Sequence, residues 1–463
     1  MTIVEEDSRD TPRMPARHDD AEPAAATPIP TTTTTPIPAP VRPAIREPQF
    51  VYYLVGQSVS QLGSMVWYVA LSWSAIQLGS AGIAGVLMVL SSLPTIAFTL
   101  LGGVIVDRHD VRRLMLGSDL LRTLVTLAAA GIALLHPGIA LLAVLSLVFG
   151  TVNALFQPAA GAMQPQLLRP EQYTGAATLS TVTGRLALSL GGPLGGFAVA
   201  YGGLPLGLAV DAATFAVSVA TLYFVRPRPL PDRATATATA TAGMTSDAGT
   251  GAASDTPAGR TDHLGEFRAG FSFLVHHPVL GPLSATTLLM ELGFIGPMNV
   301  GLAILSKEHG WGAHGIGLML TGFGLGAVTG AMLTNRLRIR RHVGSWIAVS
   351  AALVGASLFG NALATDLPAA VASAALVGVF AGPSNILGTV LIQTETPDAL
   401  RGRVNSFQTL LSLGTVPLAM LGTGFAATAF GIHDTYAACA VIEALALTTL
   451  LSPAFRRARI SEG

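Results

Sequence analysis

Glu291 is the only charged residue in an apolar run covering 279–305, and it stands about thirteen residues into that run. A carboxyl group so placed can carry a proton, attract a cationic ligand when ionised, or sit protonated in a hydrogen bond between helices. Asp119 and Arg122 lie three residues apart in another apolar stretch. That spacing puts them on one helix face, where they can pair locally. Arg185 has no acid within a helical turn, so it needs Asp119 or Glu291 from another segment, or an anionic ligand. Asp211 and Glu443 suit packing or topology. Neutral amides recur at helical spacing: Gln57 with Gln61, Asn153 with Gln157, and Asn385 further on. They can line a polar cavity or bond between helices, the latter worth about 0.6 kcal/mol on average. Catalytic motifs are absent. The sequence holds no phosphate-binding Gly-Lys-Ser/Thr, no His-Glu-x-x-His and no nucleophile elbow. A single Cys439 excludes an internal disulfide and a cysteine metal cluster. The expectation is a protein that is not an enzyme and uses no metal or other cofactor.

The elements that must hold these groups are set by composition. The 463-residue chain is 51% hydrophobic and 11% charged, with a mean hydropathy of +0.57. Soluble domains are charged at roughly a quarter of their positions. This is therefore read as an integral membrane protein, and an ionisable side chain at mid-bilayer costs about 2.5–3.5 kcal/mol on insertion scales. A net charge of zero offers no field for nucleic acid. Residues 1–47 are polar and rich in Pro and Thr, which predicts a disordered tail with no signal-peptide pattern. The stretch 226–266, with its Ala/Thr repeat, reads as a low-complexity linker, and 456–463 as a second tail.

What is left accommodates twelve spans of about 20 residues. They fall near 50–74, 80–105, 114–135, 138–162, 176–200, 204–225, 279–305, 313–335, 343–364, 368–393, 405–429 and 434–454. Placing both termini in the cytoplasm puts twenty of the 22 arginines from Arg42 onward on that side and leaves only Lys307 in the outer loops.

The chain also repeats itself. Gly102, Asp107, Arg108, Arg112 and Arg113 after span two are echoed 228 residues later by Gly330, Asn335, Arg336, Arg340 and Arg341. Pro170, Glu171 and Gly175 are echoed by Pro397, Asp398 and Gly402 at an offset of 227. Two motifs, each at the same place in its half, predict parallel six-helix halves over 48–225 and 267–455. The fold class is then all-α, twelve transmembrane helices in two pseudo-symmetric halves.

The segment Gly102–Arg113 resembles the signature loop of the major facilitator superfamily. Three further stretches resemble its drug-export branch, which includes enterobactin and macrolide exporters. They are Gly56-Gln57 with Ser60-Gln61-Leu62-Gly63, Phe156-Gln157-Pro158-Ala159, and Gly191-Gly192-Pro193-Leu194-Gly195-Gly196 followed by Asp211 and Phe215. Two features depart from that branch. Only Leu194 separates Gly-Pro from Gly-Gly in span five, and span four carries no arginine.

The resemblance implies that spans one, four, seven and ten line a central cavity, which would hold Gln57, Gln61, Asn153, Gln157, Glu291 and Asn385. Gly102 and Gly103 would let helices approach, while Asp107 can cap a facing helix or pair with an arginine. Such contacts with Arg108, Arg112 and Arg113 would form a latch holding the cytoplasmic side closed. Asn335 cannot make the same ion pair, so the second latch should be weaker. Plain positive-inside topology would explain the arginines but not the aspartate.

The reading is a monomeric secondary transporter of the plasma membrane. It would export small amphipathic molecules against protons, by alternating access within the bilayer. Import or facilitated passage of a metabolite on the same fold is the alternative, and a non-transporting receptor or scaffold a third.

Overall fold

An apolar stretch of about 20 residues rich in Ala, Leu and Gly satisfies all its backbone groups within itself in lipid by coiling into a helix. The computed structural model describes residues 43–108, 110–227, 272, 274–337 and 339–459, without the side chains of 99–108, 174, 398–399, 401–403 and 406. Among the described residues there is no strand. The predicted tail 1–47 and linker 226–266 lie outside them except for 43–47 and 226–227, as does the end of 456–463.

The helices start and stop for local reasons. α1 (Pro48–Leu78) opens on a proline, whose missing N–H costs nothing in a first turn. α2 (Ala81–Arg108) follows, then α3 (Val111–Leu135), capped by Asp110, which accepts the Arg113 N–H at 3.1 Å. α4 is Ile139–Leu167.

The next 52 residues, Tyr173–Phe224, are helical except at Gly203, with φ 64° and ψ −161°. A straight helix of that length would run about 78 Å, far beyond a hydrocarbon core of about 30 Å. Packing against α1 shows that it doubles back. Gln61, Met65 and Val66 meet Gly184, Gly191 and Gly195 in ascending order, whereas Gly56, Gly63 and Ala70 meet Thr221, Thr214 and Gly207 in descending order. Residues 173–202 (α5) and 204–224 (α6) are thus an antiparallel pair, turned by the one residue type that tolerates this backbone.

The second half comprises α7 (Leu280–Glu308), α8 (Gly312–Leu337), α9 (Val343–Leu363), α10 (Leu367–Glu395), α11 (Asp398–Phe430) and α12 (Ile432–Leu451). Pro297 opens a π-helical turn within α7, over Pro297–Gly301. Side chains supply donors there: Tyr436 donates to the Pro297 carbonyl at 3.1 Å, and Asn299 to that of Ile295 at 2.6 Å. Among the described residues, ten stretches are long and apolar enough to cross a membrane. Gly203 divides one of them, and the more polar α1 completes twelve rods.

The starts of the odd-numbered helices define one end of the molecule, here the near end. One buried cluster at the far end draws on both halves, joining Trp67, Leu71 and Phe149 to Val300, Ile316 and Tyr436. At the near end there are two clusters, each confined to its own half: one around Phe50, Met115 and Met163, the other around Leu280, Ile347 and Phe455. Direct contacts between halves follow the far-end cluster. The Gly82 N–H donates to Thr428 Oγ1 at 3.1 Å, and Lys307 Nζ to the Ile76 carbonyl at 2.6 Å. Where α5 meets α8, a Cβ on Gly196 would stand 2.8 Å from the Ala313 carbonyl oxygen. Among the described residues, the halves share a core at the far end and pack into separate cores at the near end.

Candidate functional site

Below the far-end junction lies a cleft of about 620 Å³, lined by Ser91, Ser92, Thr95 and Asn153 from one half and Gln408, Thr409 and Ser412 from the other. Each half adds a bay. That of the second half, about 470 Å³, is formed by α7, α9, α10 and α11. Met290, Phe294, Ile295 and Ile347 make it apolar, and Asn385, Gln393, Asn405 and Gln408 give it polar points. Its single carboxylate is Glu291. Ser412 donates to Glu291 Oε1 and also borders the central cleft, so the carboxylate stands where bay and cleft meet. Glu291 Oε2 is buried without a hydrogen-bond partner among the described residues.

The bay of the first half, about 280 Å³, is uncharged. Gln57 and Gln61 of α1, Gln157 and Gln164 of α4, and Ser180 and Thr183 of α5 line it. Gln157 Nε2 donates to Asn153 Oδ1 at 3.4 Å, which links this bay to the cleft. The second-half bay, apolar with a few convergent polar groups, has the usual form of a small-molecule site, while the cleft and the first-half bay are the more polar spaces beside it. All six residues that the sequence places on a cavity border one of these three spaces. Ser412, Gln393 and Gln408 join them; Gln408 and Ser412 stand four apart and Gln393 eight from Asn385, a spacing that puts them on one helix face but does not say which face of α10 and α11 turns inward.

The remaining candidates lie elsewhere. Asp119 Oδ1 is 3.6 Å from Arg122 Nη1, with both side chains sealed from the cavity. Ser218 donates to Asp119 Oδ2 at 2.6 Å, and the guanidinium lies 5.0 Å and 5.2 Å from the ring centres of Phe156 and Phe215. Arg185 meets neither Asp119 nor Glu291, which have nearer partners in Arg122 and Ser412. It is exposed, on the α5 face that carries Ser189, and Ser189 packs against Gly324 of α8. Arg185 thus sits one turn toward the near end, beside the gap between halves.

The side chains of Gly102, Gly103, Asp107 and Arg108 lie outside the described residues. Arg112 turns into its own half, where it caps the end of α6 through the carbonyls of Leu222 and Tyr223, at 3.3 and 2.6 Å. Arg113 approaches Asp110 at 4.0 Å on the surface. Asn335 and Arg340 border a separate near-end groove, and Arg336 and Arg341 are exposed.

Known proteins repeat this architecture. Residues 53–299 and 283–462 match the family model described as Major Facilitator Superfamily. The multidrug efflux pump Tap of Mycobacterium tuberculosis is 26% identical over 434 residues, covering 90% of this chain and 96% of that protein. The enterobactin exporter EntS of Escherichia coli is 26% identical over 316 residues, covering 67% and 68%. Among solved structures, the nucleoside transporter NupG superposes with a TM-score of 0.64 at 13% identity, covering 87% of this chain and 99% of that one. A bacterial homologue of the lysosomal transporter Spinster, inward-facing and unoccupied, gives 0.64 at 14% identity, covering 90% and 100%. With two six-helix halves around one cavity and a family match across both, this multi-pass membrane protein belongs to the Major Facilitator Superfamily, whose members are transporters rather than enzymes.

Proposed function

We propose that the chain is a proton-coupled exporter of small amphipathic molecules in the plasma membrane, working as a monomer by alternating access. The observation that carries this reading is the position of Glu291: one carboxylate in an apolar bay, at its junction with the cleft between two halves whose described residues share a core on the far side. An amphipathic molecule would place its apolar body against Met290, Phe294 and Ile347, with its polar groups on the amides across the cleft. The Glu291 carboxylate would take a proton as the molecule leaves. Drug and siderophore export by the relatives Tap and EntS supports the direction of transport.

The arginine distribution supports both termini in the cytoplasm, which makes the near end the inner one and the described conformation inward-open. In that state the inner latch would be released, in keeping with Arg112 bonding within its own half. Inside-out vesicles test the reading. A panel of amphipathic drugs should produce drug-dependent proton movement that is lost in Glu291→Gln. Full flux in that variant rejects Glu291 as the proton carrier, and no flux with any drug rejects coupled export.

A further inference from the structure

The first half encloses charges that do not balance. Asp119, Arg122 and Asp211 are 0%, 3% and 0% exposed, so one guanidinium is buried with two carboxyl groups. Among the described residues the neighbours add no charge: α1 contributes Gly63, α4 Phe156, and α6 Thr214, Phe215 and Ser218. Asp119 is the ionised partner, because it faces Arg122 at 3.6 Å and accepts the Ser218 hydroxyl at 2.6 Å. Asp211 feels the field of Arg122, yet neither of its oxygens has a hydrogen-bond partner among the described residues. A second full negative charge there would be uncompensated, and the inexpensive remedy in a dry site is to neutralise the group.

We infer that Asp211 is a proton-binding site of the first half, occupied in this conformation and separate from Glu291. α1 forms its cover. A Cβ at Gly63 would lie 2.7 Å from Asp211 Oδ1, so the α1 backbone presses directly on the carboxyl. Two residues earlier, on another face of the same helix, Gln61 lines the first-half bay. The helix that walls the cavity therefore also closes off the proton, and sliding α1 against α6 would open the site to exchange.

Infrared spectroscopy of the purified full chain in lipid tests this, with every protein carrying Glu291→Gln so that the cavity carboxyl is silent. Asp211→Asn, which keeps the shape of the protonated acid, should remove one protonated-carboxyl band and leave the melting midpoint unchanged. Asp119→Asn should remove the same band, because Asp211 must then ionise to balance Arg122. Arg122→Gln should restore neutrality by adding a band at Asp119. Asp119→Asn combined with Asp211→Asn strands the guanidinium and should melt well below either single variant. Persistence of the band in Asp211→Asn overturns the assignment, as does its persistence in Asp119→Asn. If Asp119→Asn does not fold, the spectrum and melting of Asp211→Asn decide alone. None of these readouts involves transport, so a failure of coupled export leaves the result intact.

Discussion

Buried charges differ in how much of their surroundings the local sequence reveals. Asp119 and Arg122 pair as their three-residue spacing implies, because a helix fixes that geometry by itself. The approach of Asp211 to the same guanidinium depends on which faces of α3 and α6 meet, and no spacing along the chain encodes that. Arg185 shows the reverse: two acids were available in the sequence, and both are engaged by closer groups. Glu443 is a third case. It is 0% exposed, wedged against Gly293 and Gly355, and neither oxygen has a partner among the described residues. Methionine is similarly long and unbranched, and it fits irregular gaps. Glu443→Met should therefore lose no hydrogen bond and relieve a polar burial of about 1–3 kcal/mol. The expected result is a melting midpoint equal to or above the parent. A large drop would mean that Glu443 has a partner and a role beyond packing.

At the scale of the helix, small residues distribute the contacts. Gly191 and Gly195 of α5 turn toward α1, while Gly192 and Gly196 turn toward α8. A motif legible in the sequence thus lets one helix pack closely both within its half and across the junction. The opposite side of the junction was not legible. Lys307 reads as an ordinary outer-loop residue, although a lone lysine among 25 arginines is itself a signal. It occupies the last turn of α7 and donates to the Ile76 carbonyl near the C-terminus of α1, in the other half. A cation at that pole of a helix is favourable, and the bond must break when the far end opens. Lys307→Gln should weaken far-end closure by about 1 kcal/mol, roughly a fivefold change in the ratio of states. Alkylation of a cysteine placed at Ser80, in a Cys439→Ser background, measures it. Faster labelling is expected, and an unchanged rate would show that the bond does not hold the state.

For the whole molecule, the sequence indicated the number of rods and their repetition, since hydropathy and motif offsets survive without coordinates. It could not indicate the conformation, which depends on contacts between halves and not on either half alone. One shared cluster at the far end and two separate clusters at the near end are the arrangement that halves rocking as bodies about the junction would need. If that motion carries the transport cycle, the far end must part once per turnover. Gly82 and Thr428 give a direct means of preventing it. They are bonded across the junction at 3.1 Å, and a Cβ at Gly82 would stand 3.6 Å from Thr428 Oγ1. Thr428 Oγ1 marks where a cysteine sulfur at 428 would start, and a small approach of α2 to α11 brings two such Cβ atoms into the range of about 3.5–4.5 Å that a disulfide needs. With Cys439→Ser to remove the native thiol, the pair Gly82→Cys and Thr428→Cys should transport when reduced and stop when oxidised, with reductant restoring the rate. Either single cysteine should be insensitive to oxidant. Continued export by a fully crosslinked protein would mean that substrate leaves without the α2–α11 junction opening, and the two-body motion would have to be abandoned.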